Sequence, residues 1–307
     1  VLDFDVASGT VDTRSAEAIL AAAGEQGFTI TMVLETHAHA DHLSAAPFFK
    51  AKTGAWIGIG AKITEVQKIF RPMFAADDLR TDGSDFDRLF RDGDTLALGS
   101  LTVEVMETPG HTPADVSYRI RDAVFVGDTL FMPDYGTART DFPGGDARQL
   151  HGSIRKLLSL PDDTRLFMCH DYKAPGRDHY AWETTVAEER AANVHVGGGK
   201  GEEEFVAMRE ARDATLSTPR LLLPSIQDSQ RWRKEQLQPM MDDGWDEILA
   251  KGAQLVDLAE AQGVEITRDL VKEVGRSLEP FPGVAEILPA LRRLGEEASG
   301  GADVRLY

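Results

Sequence analysis

The chain has 307 residues, enough for one large domain plus a smaller unit or for two modest domains, and its 42% hydrophobic and 27% charged residues are ordinary for a globular protein. Its 51 acidic residues outnumber its 33 basic residues, and the net charge of −18 repels nucleic-acid phosphates and anionic lipids. We therefore expect neither nucleic acid nor a membrane among its partners. The single cysteine, Cys169, excludes an internal disulfide framework and favours a cytoplasmic location.

Strand and helix patterns alternate along the first two thirds of the chain. Short β-rich runs predict strands at residues 30–35, 55–60 and 164–169 and hairpins at 96–105 and 115–126. Apolar residues at helical spacing predict helices at residues 43–52, 147–160, 182–193 and 202–214. Several predicted strands end at a histidine or an aspartate, which is how α/β sheets usually present a site at one rim.

Three histidines and an aspartate lie within six residues at the end of the first of these strands: His37, His39, Asp41 and His42. Neutral imidazole is the commonest metal ligand in proteins. Placing several imidazoles together is costly unless a cation binds between them. The cluster therefore predicts a metal site.

Three further residues fit the same site because each follows a predicted strand or hairpin. His111 lies in a Pro-Gly-His-Thr turn, Asp128 follows a glycine, and His170 follows Cys169. Each of these signals is weak when taken alone. In this order and at these spacings, the four elements together are highly specific.

The order HxHxDH, GHT, GD and a late histidine resembles the metallo-β-lactamase superfamily over residues 1–227. The resemblance implies an α+β fold, an αββα four-layer sandwich with metals at one edge, in which we expect the family's N-terminal hairpin to be missing. It also implies one metal position made by His37, His39 and His111 and a second made by three other residues, with Asp128 as a bridge between them. The second set is Asp41, His42 and His170.

Residues 132–142, which include Arg-Thr-Asp-Phe at 139–142, and His-Asp-Tyr at 170–172 are similar to the persulfide dioxygenases. That branch implies a single Fe(II) per chain held by the catalytic residues His37, His111 and Asp128. Its implied reaction oxidises glutathione persulfide with O₂ to sulfite and glutathione. The remaining four candidates would then orient ligands and water; they are His39, Asp41, His42 and His170.

The expected substrate-binding residues are Arg139, Tyr172 and Lys173. A guanidinium can pair bidentately with a glutathione carboxylate, but Arg139 could equally form a structural salt bridge with Asp141. Strand alternation predicts that Cys169 points away from His170 into the core, so we expect no nucleophilic role for it.

A dinuclear zinc thioesterase of the glyoxalase II type is the alternative function. It would use the same seven ligands, with two Zn(II) per chain, and would also act on glutathione conjugates. The ligand types do not separate iron from zinc. A homodimer is compatible with either function.

The sequence becomes polar and rich in charge after about residue 226. We interpret residues 1–228 as the catalytic domain and residues 229–307 as a mainly helical appendage. Residues 280–294 faintly resemble part of a haloacid-dehalogenase-type protein. The nucleophilic DxDx motif of that group is absent from the appendage sequence, so we assign it no catalysis.

Overall fold

The computed structural model describes residues 1–5, 10–73, 76 and 79–216, with the backbone alone for residues 3 and 5. The predicted appendage at 229–307 and the predicted end of the catalytic domain at 217–228 lie outside the described residues. The described strands are β1 (Asp3–Asp5), β2 (Thr10–Asp12), β3 (Met32–Leu34), β4 (Trp56–Gly60), β5 (Arg88–Phe90), β6 (Thr95–Leu98), β7 (Leu101–Glu107), β8 (Val116–Ile120), β9 (Ala123–Phe125), β10 (Arg165–Phe167) and β11 (Glu183–Thr185). The described helices are α1 (Arg14–Glu25), α2 (Ala46–Thr53), α3 (Ile63–Met73), α4 (Ala147–Leu157), α5 (Val186–Ala192) and α6 (Glu202–Asp213). None of these helices has the length and apolarity needed to cross a lipid bilayer.

The strands form two main sheets and one small sheet. The larger sheet has the order β11-β10-β9-β8-β7-β6, and β3, β4 and β5 form a parallel sheet of their own. The two predicted hairpins are confirmed as β6–β7 and β8–β9, with Leu98 paired to Leu101 and Ile120 paired to Ala123. At the start of the chain, β1 and β2 form the small antiparallel sheet.

Hydrophobic clusters arrange these elements in four layers. Phe90 of β5 and Tyr118 of β8 belong to the core between the two main sheets. On the outer face of the parallel sheet, Ile63 of α3 packs with Ile57 of β4. Helices α4 and α6 cover the outer face of the larger sheet, where Leu150 is fully buried. This confirms the αββα sandwich that the resemblance implied.

The predicted helix over residues 182–193 is wrong for its first residues. Glu183–Thr185 form β11, antiparallel to β10, and α5 begins only at Val186. Thr185 starts the helix with a capping box, because its hydroxyl accepts from the Glu188 backbone N–H at 3.2 Å while the Glu188 carboxylate accepts from the Thr185 N–H at 3.0 Å. Adjacent β-branched threonines favour the extended segment before that cap.

Helix α5 also carries a buried carboxyl group, Glu189. Its Oε2 accepts a hydrogen bond from Asn193 Nδ2 at 2.6 Å, and its Oε1 has no partner among the described residues. Burial raises the pKa of Glu189 to about 8, and the Asn193 hydrogen bond offsets this only in part. The group is therefore mainly neutral in the folded protein at neutral pH.

This buried proton makes the stability of the fold dependent on pH. The folded protein keeps the proton up to about pH 8, whereas a normal glutamate in the unfolded chain loses it near pH 4.5. The stabilising contribution is thus complete below the unfolded pKa and is lost as the pH rises through the folded pKa. We expect the free energy of unfolding to fall by up to about 1.4 kcal/mol per pH unit within this window.

Glu189→Gln should remove that slope, because the amide keeps the shape but does not titrate. Urea unfolding at several pH values measures the pH dependence of the free energy of unfolding. Glu104→Gln, which changes an exposed glutamate on β7, serves as the control. An unchanged slope in Glu189→Gln would contradict the assignment.

Candidate metal centre

All seven predicted donors meet at one end of the two main sheets. They lie in the segments that follow β3, β7, β9 and β10. Their ligand atoms fall into two groups, and within each group all the ligand atoms lie within 4.8 Å of one another. The groups made by the seven are His37, His111 and Asp128, and then His39, Asp41, His42 and His170.

The segment after β3 is attached to both sheets. The Glu35 N–H donates to the Gly58 carbonyl at 2.8 Å, and the Thr36 carbonyl accepts from the Val116 N–H at 2.9 Å. The Tyr118 hydroxyl donates to the Glu35 carbonyl at 2.7 Å. The backbone leading into His37 is therefore fixed from both sides before the first ligand.

A close packing of α4 against the next loop positions His111. Gly110 has φ of 142°, and a Cβ there would lie 2.3 Å from the backbone nitrogen of Leu150, so no other residue fits without a shift. His111 Nδ1 donates to the Arg139 carbonyl at 2.8 Å. This contact directs Nε2 towards the Asp128 carboxylate.

His37, His111 and Asp128 form a buried inner triad. The Nε2 atoms of His37 and His111 lie 3.6 and 3.7 Å from Asp128 Oδ2. Two donors that are each about 2.1 Å from one ion, at ligand angles of 90–120°, are about 3.0–3.6 Å apart. The triad therefore has the spacing of ligands around a single cation.

The other four residues form an outer group, of which Asp41, His42 and His170 are less buried and pair with one another, while His39 is buried. Asp41 Oδ1 lies 3.1 Å from His42 Nδ1, and Asp41 Oδ2 lies 3.1 Å from His170 Nε2. Asp128 connects this group to the inner triad, because its Oδ1 lies 3.6 Å from His170 Nε2 while its Oδ2 faces His37 and His111.

Buried donor atoms without partners show that these residues fit a metal. His37 Nε2, His39 Nδ1 and Asp128 Oδ1 have no hydrogen-bond partner within the described parts of the chain. Leaving such an atom unsatisfied costs about 1–3 kcal/mol. Cations bound among these donors would satisfy such atoms.

Glu35 provides the carboxylate that commonly stands behind a metal-binding histidine. Its Oε2 lies 3.3 Å from His39 Nε2, and its Oε1 accepts a hydrogen bond from Ser44 Oγ. Because Nε2 is used in this way, the opposite atom, Nδ1, is the one available to a metal. Residue spacing did not indicate this role of Glu35, although an acidic residue at the end of a β-rich run was a readable signal.

The electrostatics of the site suit a cation as well. Burial lowers the pKa of His37 well below its usual value, and the neighbouring His39 and His111 lower it further, which keeps the ring neutral. Burial also lowers the pKa of His170, but the hydrogen bond to Asp41 and the charges of Asp128 and Asp41 outweigh this and raise it to about 9.

The expected burial of Cys169 is wrong. The residue is exposed, and its Sγ lies within 4.8 Å of ligand atoms of Asp128 and His170. The alternation argument fails because β10 ends at Phe167, so residues 168–170 are not extended strand. Cys169 and His170 therefore both approach the centre.

The guanidinium of Arg139 is held within its own loop. Its Nε and Nη2 donate to the two carboxylate oxygens of Asp141 at 2.6 Å each, and it lies over the Phe142 ring. The structural salt bridge between Arg139 and Asp141, the alternative role expected for Arg139, is thus present. Binding of a substrate carboxylate by Arg139 stays a prediction.

Tyr172 lies beside the donor His170, and Lys173 follows it in the chain. The Tyr172 ring is 5.8 Å from the His170 ring and about half exposed. Lys173 is exposed, with its Nζ 4.1 Å from the centre of the Tyr180 ring. The binding role of both residues stays a prediction.

A small cleft with mostly apolar walls is lined by two of the donors, His39 and His111. The Phe142 ring packs edge-on to the His111 ring, with centroids 5.2 Å apart. The residues that line the cleft are Ala38, His39, Ala40, Phe70, His111, Thr112, Phe142 and Pro143.

The family model described as the metallo-beta-lactamase superfamily matches residues 4–170 of the chain. That range contains every donor named above. The chain belongs to the metallo-beta-lactamase superfamily, and its cluster of histidines and aspartates is a metal-binding site of that superfamily.

Three proteins show clear similarity to this chain in sequence or structure. A probable metallo-hydrolase of Burkholderia pseudomallei is 54% identical over 242 residues, which cover 75% of this chain and 82% of that protein. A protein of Dictyostelium discoideum named glyoxylase B2 is 47% identical over 251 residues, covering 80% and 84%. The crystal structure of ETHE1 from Myxococcus xanthus is 29% identical with a TM-score of 0.58, covering 76% of this chain and 99% of that one.

Other relatives are longer than the matched region. The beta-lactamase hydrolase-like proteins of Xylella fastidiosa are 53% identical over 227 residues, and the matched part spans about half, 52%, of their length.

The Glu35 contact gives a test of the centre that needs no substrate. Glu35→Gln keeps the shape but removes the charge behind His39, so we expect metal affinity to fall by about 10- to 100-fold. Competition with a coloured chelator measures it. Glu104→Gln, which removes a carboxylate on the surface of β7, should leave the affinity unchanged. Equal affinities for both variants would exclude His39 as a ligand supported by Glu35.

Proposed function

We propose that the protein is a non-haem Fe(II) persulfide dioxygenase that oxidises glutathione persulfide. The balanced reaction is GSSH + O₂ + H₂O → GSH + H₂SO₃. The bond between the two sulfur atoms breaks, the terminal sulfur is oxidised to sulfite, and O₂ is the oxidant. The inner sulfur leaves as the thiol of glutathione.

The inner triad is the observation that carries this proposal. Two histidines and one carboxylate on one side of an ion, with other positions open, are typical of non-haem Fe(II) oxygenases. His37, His111 and Asp128 are all buried, and their ligand atoms lie within 4.8 Å of one another. Asp41 meanwhile pairs with His42 and His170, which supports a role in orienting groups beside the iron.

The likeness to ETHE1 supports the same branch, because persulfide dioxygenases share the Arg-Thr-Asp-Phe segment at residues 139–142. In this chain the segment orients His111. The Arg139 carbonyl accepts the hydrogen bond that orients His111, and the Arg139–Asp141 pair fixes that carbonyl.

When bound, Fe(II) would supply electrons and adjacent open positions for O₂ and the persulfide. The chain's own residues would orient and shield the reactants. Phe70, Phe142 and Pro143 wall the cleft and limit the access of water to it. Lys173 offers an exposed cation for a glutathione carboxylate, and Tyr172 offers a ring and a hydroxyl beside His170.

The second candidate is a dinuclear zinc thioester hydrolase of the glyoxalase II type. Asp128 favours it, because its two oxygens face the two different groups of donors, as a bridging carboxylate would. The name of the Dictyostelium relative, glyoxylase B2, favours it as well. Zinc would activate water for attack on a thioester carbonyl, and O₂ would take no part.

Oxygen uptake separates these two functions. We expect protein loaded with Fe(II) to consume O₂ and release sulfite from glutathione persulfide in equal amounts. His111→Ala should abolish both, because it removes one ligand of the inner triad. His179→Ala, which removes an exposed histidine paired with Asp178, is the matched control and should keep full activity. Hydrolysis of a hydroxyacylglutathione by the zinc-loaded protein, with neither O₂ uptake nor sulfite from the iron-loaded protein, would reject the dioxygenase.

Lys173 gives a test of the glutathione part of the proposal. Lys173→Ala should raise KM for glutathione persulfide about two- to fivefold with kcat unchanged, as expected for the loss of an exposed ion pair. A small persulfide without carboxylates should show no such change in KM. Lys52→Ala, an exposed lysine on α2, is the control. A fall in kcat with KM unchanged would contradict a role limited to binding.

A further inference from the structure

Cys169 has an unexpected position beside two of the donors. Met168 is buried, but Cys169 lies in a bend and is exposed, immediately before His170. The ligand atoms of Asp128, Cys169 and His170 lie within 4.8 Å of one another. These three residues form a group that overlaps the outer donors but excludes Asp41 and His42.

A second observation points to a cation in this group. Asp128 is only 7% exposed, and its Oδ1 is buried without a hydrogen-bond partner among the described residues. That oxygen lies 3.6 Å from His170 Nε2, on the side opposite the inner triad. An unsatisfied buried carboxylate oxygen therefore faces the same space as the thiol and the imidazole.

We propose that Cys169 is a metal ligand, and that its Sγ, His170 Nε2 and Asp128 Oδ1 bind a second, thiophilic divalent cation such as Zn(II). A donor set of sulfur, nitrogen and oxygen suits zinc, whereas Mg²⁺, Ca²⁺ and Mn²⁺ prefer oxygen ligands. The site goes beyond the proposed function, because an iron held by the inner triad does not need Cys169.

The chain has one cysteine, so every thiol signal reports Cys169 alone. We would titrate the full chain with Zn(II) and follow alkylation by iodoacetamide. At two equivalents of Zn(II), we expect the alkylation rate to fall at least about tenfold. His170→Ala should abolish the protection, because one of the three ligands is removed.

Cobalt distinguishes coordination from simple shielding. Co(II) bound at this site should give a thiolate-to-cobalt charge-transfer absorption in the near ultraviolet. The band should be absent in both Cys169→Ser and Cys169→Ala, and the dissociation constant for the second equivalent should rise at least about tenfold. Circular dichroism checks that both variants fold.

His111→Ala makes the test independent of the dioxygenase. This variant loses the inner triad and its activity, but it should keep the cobalt band, because His111 is not among the three donors. Failure of the second equivalent to bind, or equal binding in wild type and both Cys169 variants, would overturn the proposal. Loss of the band in His111→Ala would overturn it too, since the thiolate would then belong to the inner position. None of these outcomes depends on sulfite formation.

Discussion

The carboxylate of Asp128 is the group on which the rest of the centre depends. One of its oxygens faces His37 and His111, and the other faces His170. The turn that aims it requires Gly127, whose φ is 56° and whose Cβ, if present, would lie 2.8 Å from Thr36. The end of β9 can therefore approach the histidine segment closely only because that position has no side chain.

Elements far from the donors keep this geometry in place. The loop that orients His111 is tied to α6, because Asp213 accepts hydrogen bonds from the Thr140 N–H at 2.8 Å and from Arg209 Nε at 2.9 Å. Arg209 is 1% exposed and also donates to the Thr137 carbonyl. Helix α6 thus contributes no ligand but determines where the carbonyl of Arg139 lies, and through it the direction of the His111 ring.

Three donors, His111, Asp128 and His170, were predictable because they follow strands of one sheet that end at a common rim. The other four follow β3 of the second sheet and were predictable from the close spacing of their histidines. The two hairpins were predictable for a similar reason, since their turns interrupt alternating apolar residues at Gly99 and at Arg121. Cys169 was misplaced because the period-two rule holds only inside a strand, and β10 ends two residues earlier. The partner of His39 was missed because spacing alone does not say which of two ring nitrogens a carboxylate will contact.

Whether the centre holds one cation or two depends on the hydrogen bonds and ion pairs that the donors already make, because the donor types suit either number. In the inner triad, the free Nε2 atom of His37 can be satisfied only from the centre, since its Nδ1 lies 2.9 Å from the Thr36 hydroxyl. Asp41, by contrast, already has two imidazole partners, so a second cation there must displace an existing ion pair with His170. The site proposed for Cys169 uses the same Nε2 atom of His170, so a cation bound there must displace this pair as well. Opening the Asp41–His170 ion pair costs free energy, so we expect the second metal position to bind a cation more weakly than the inner triad does.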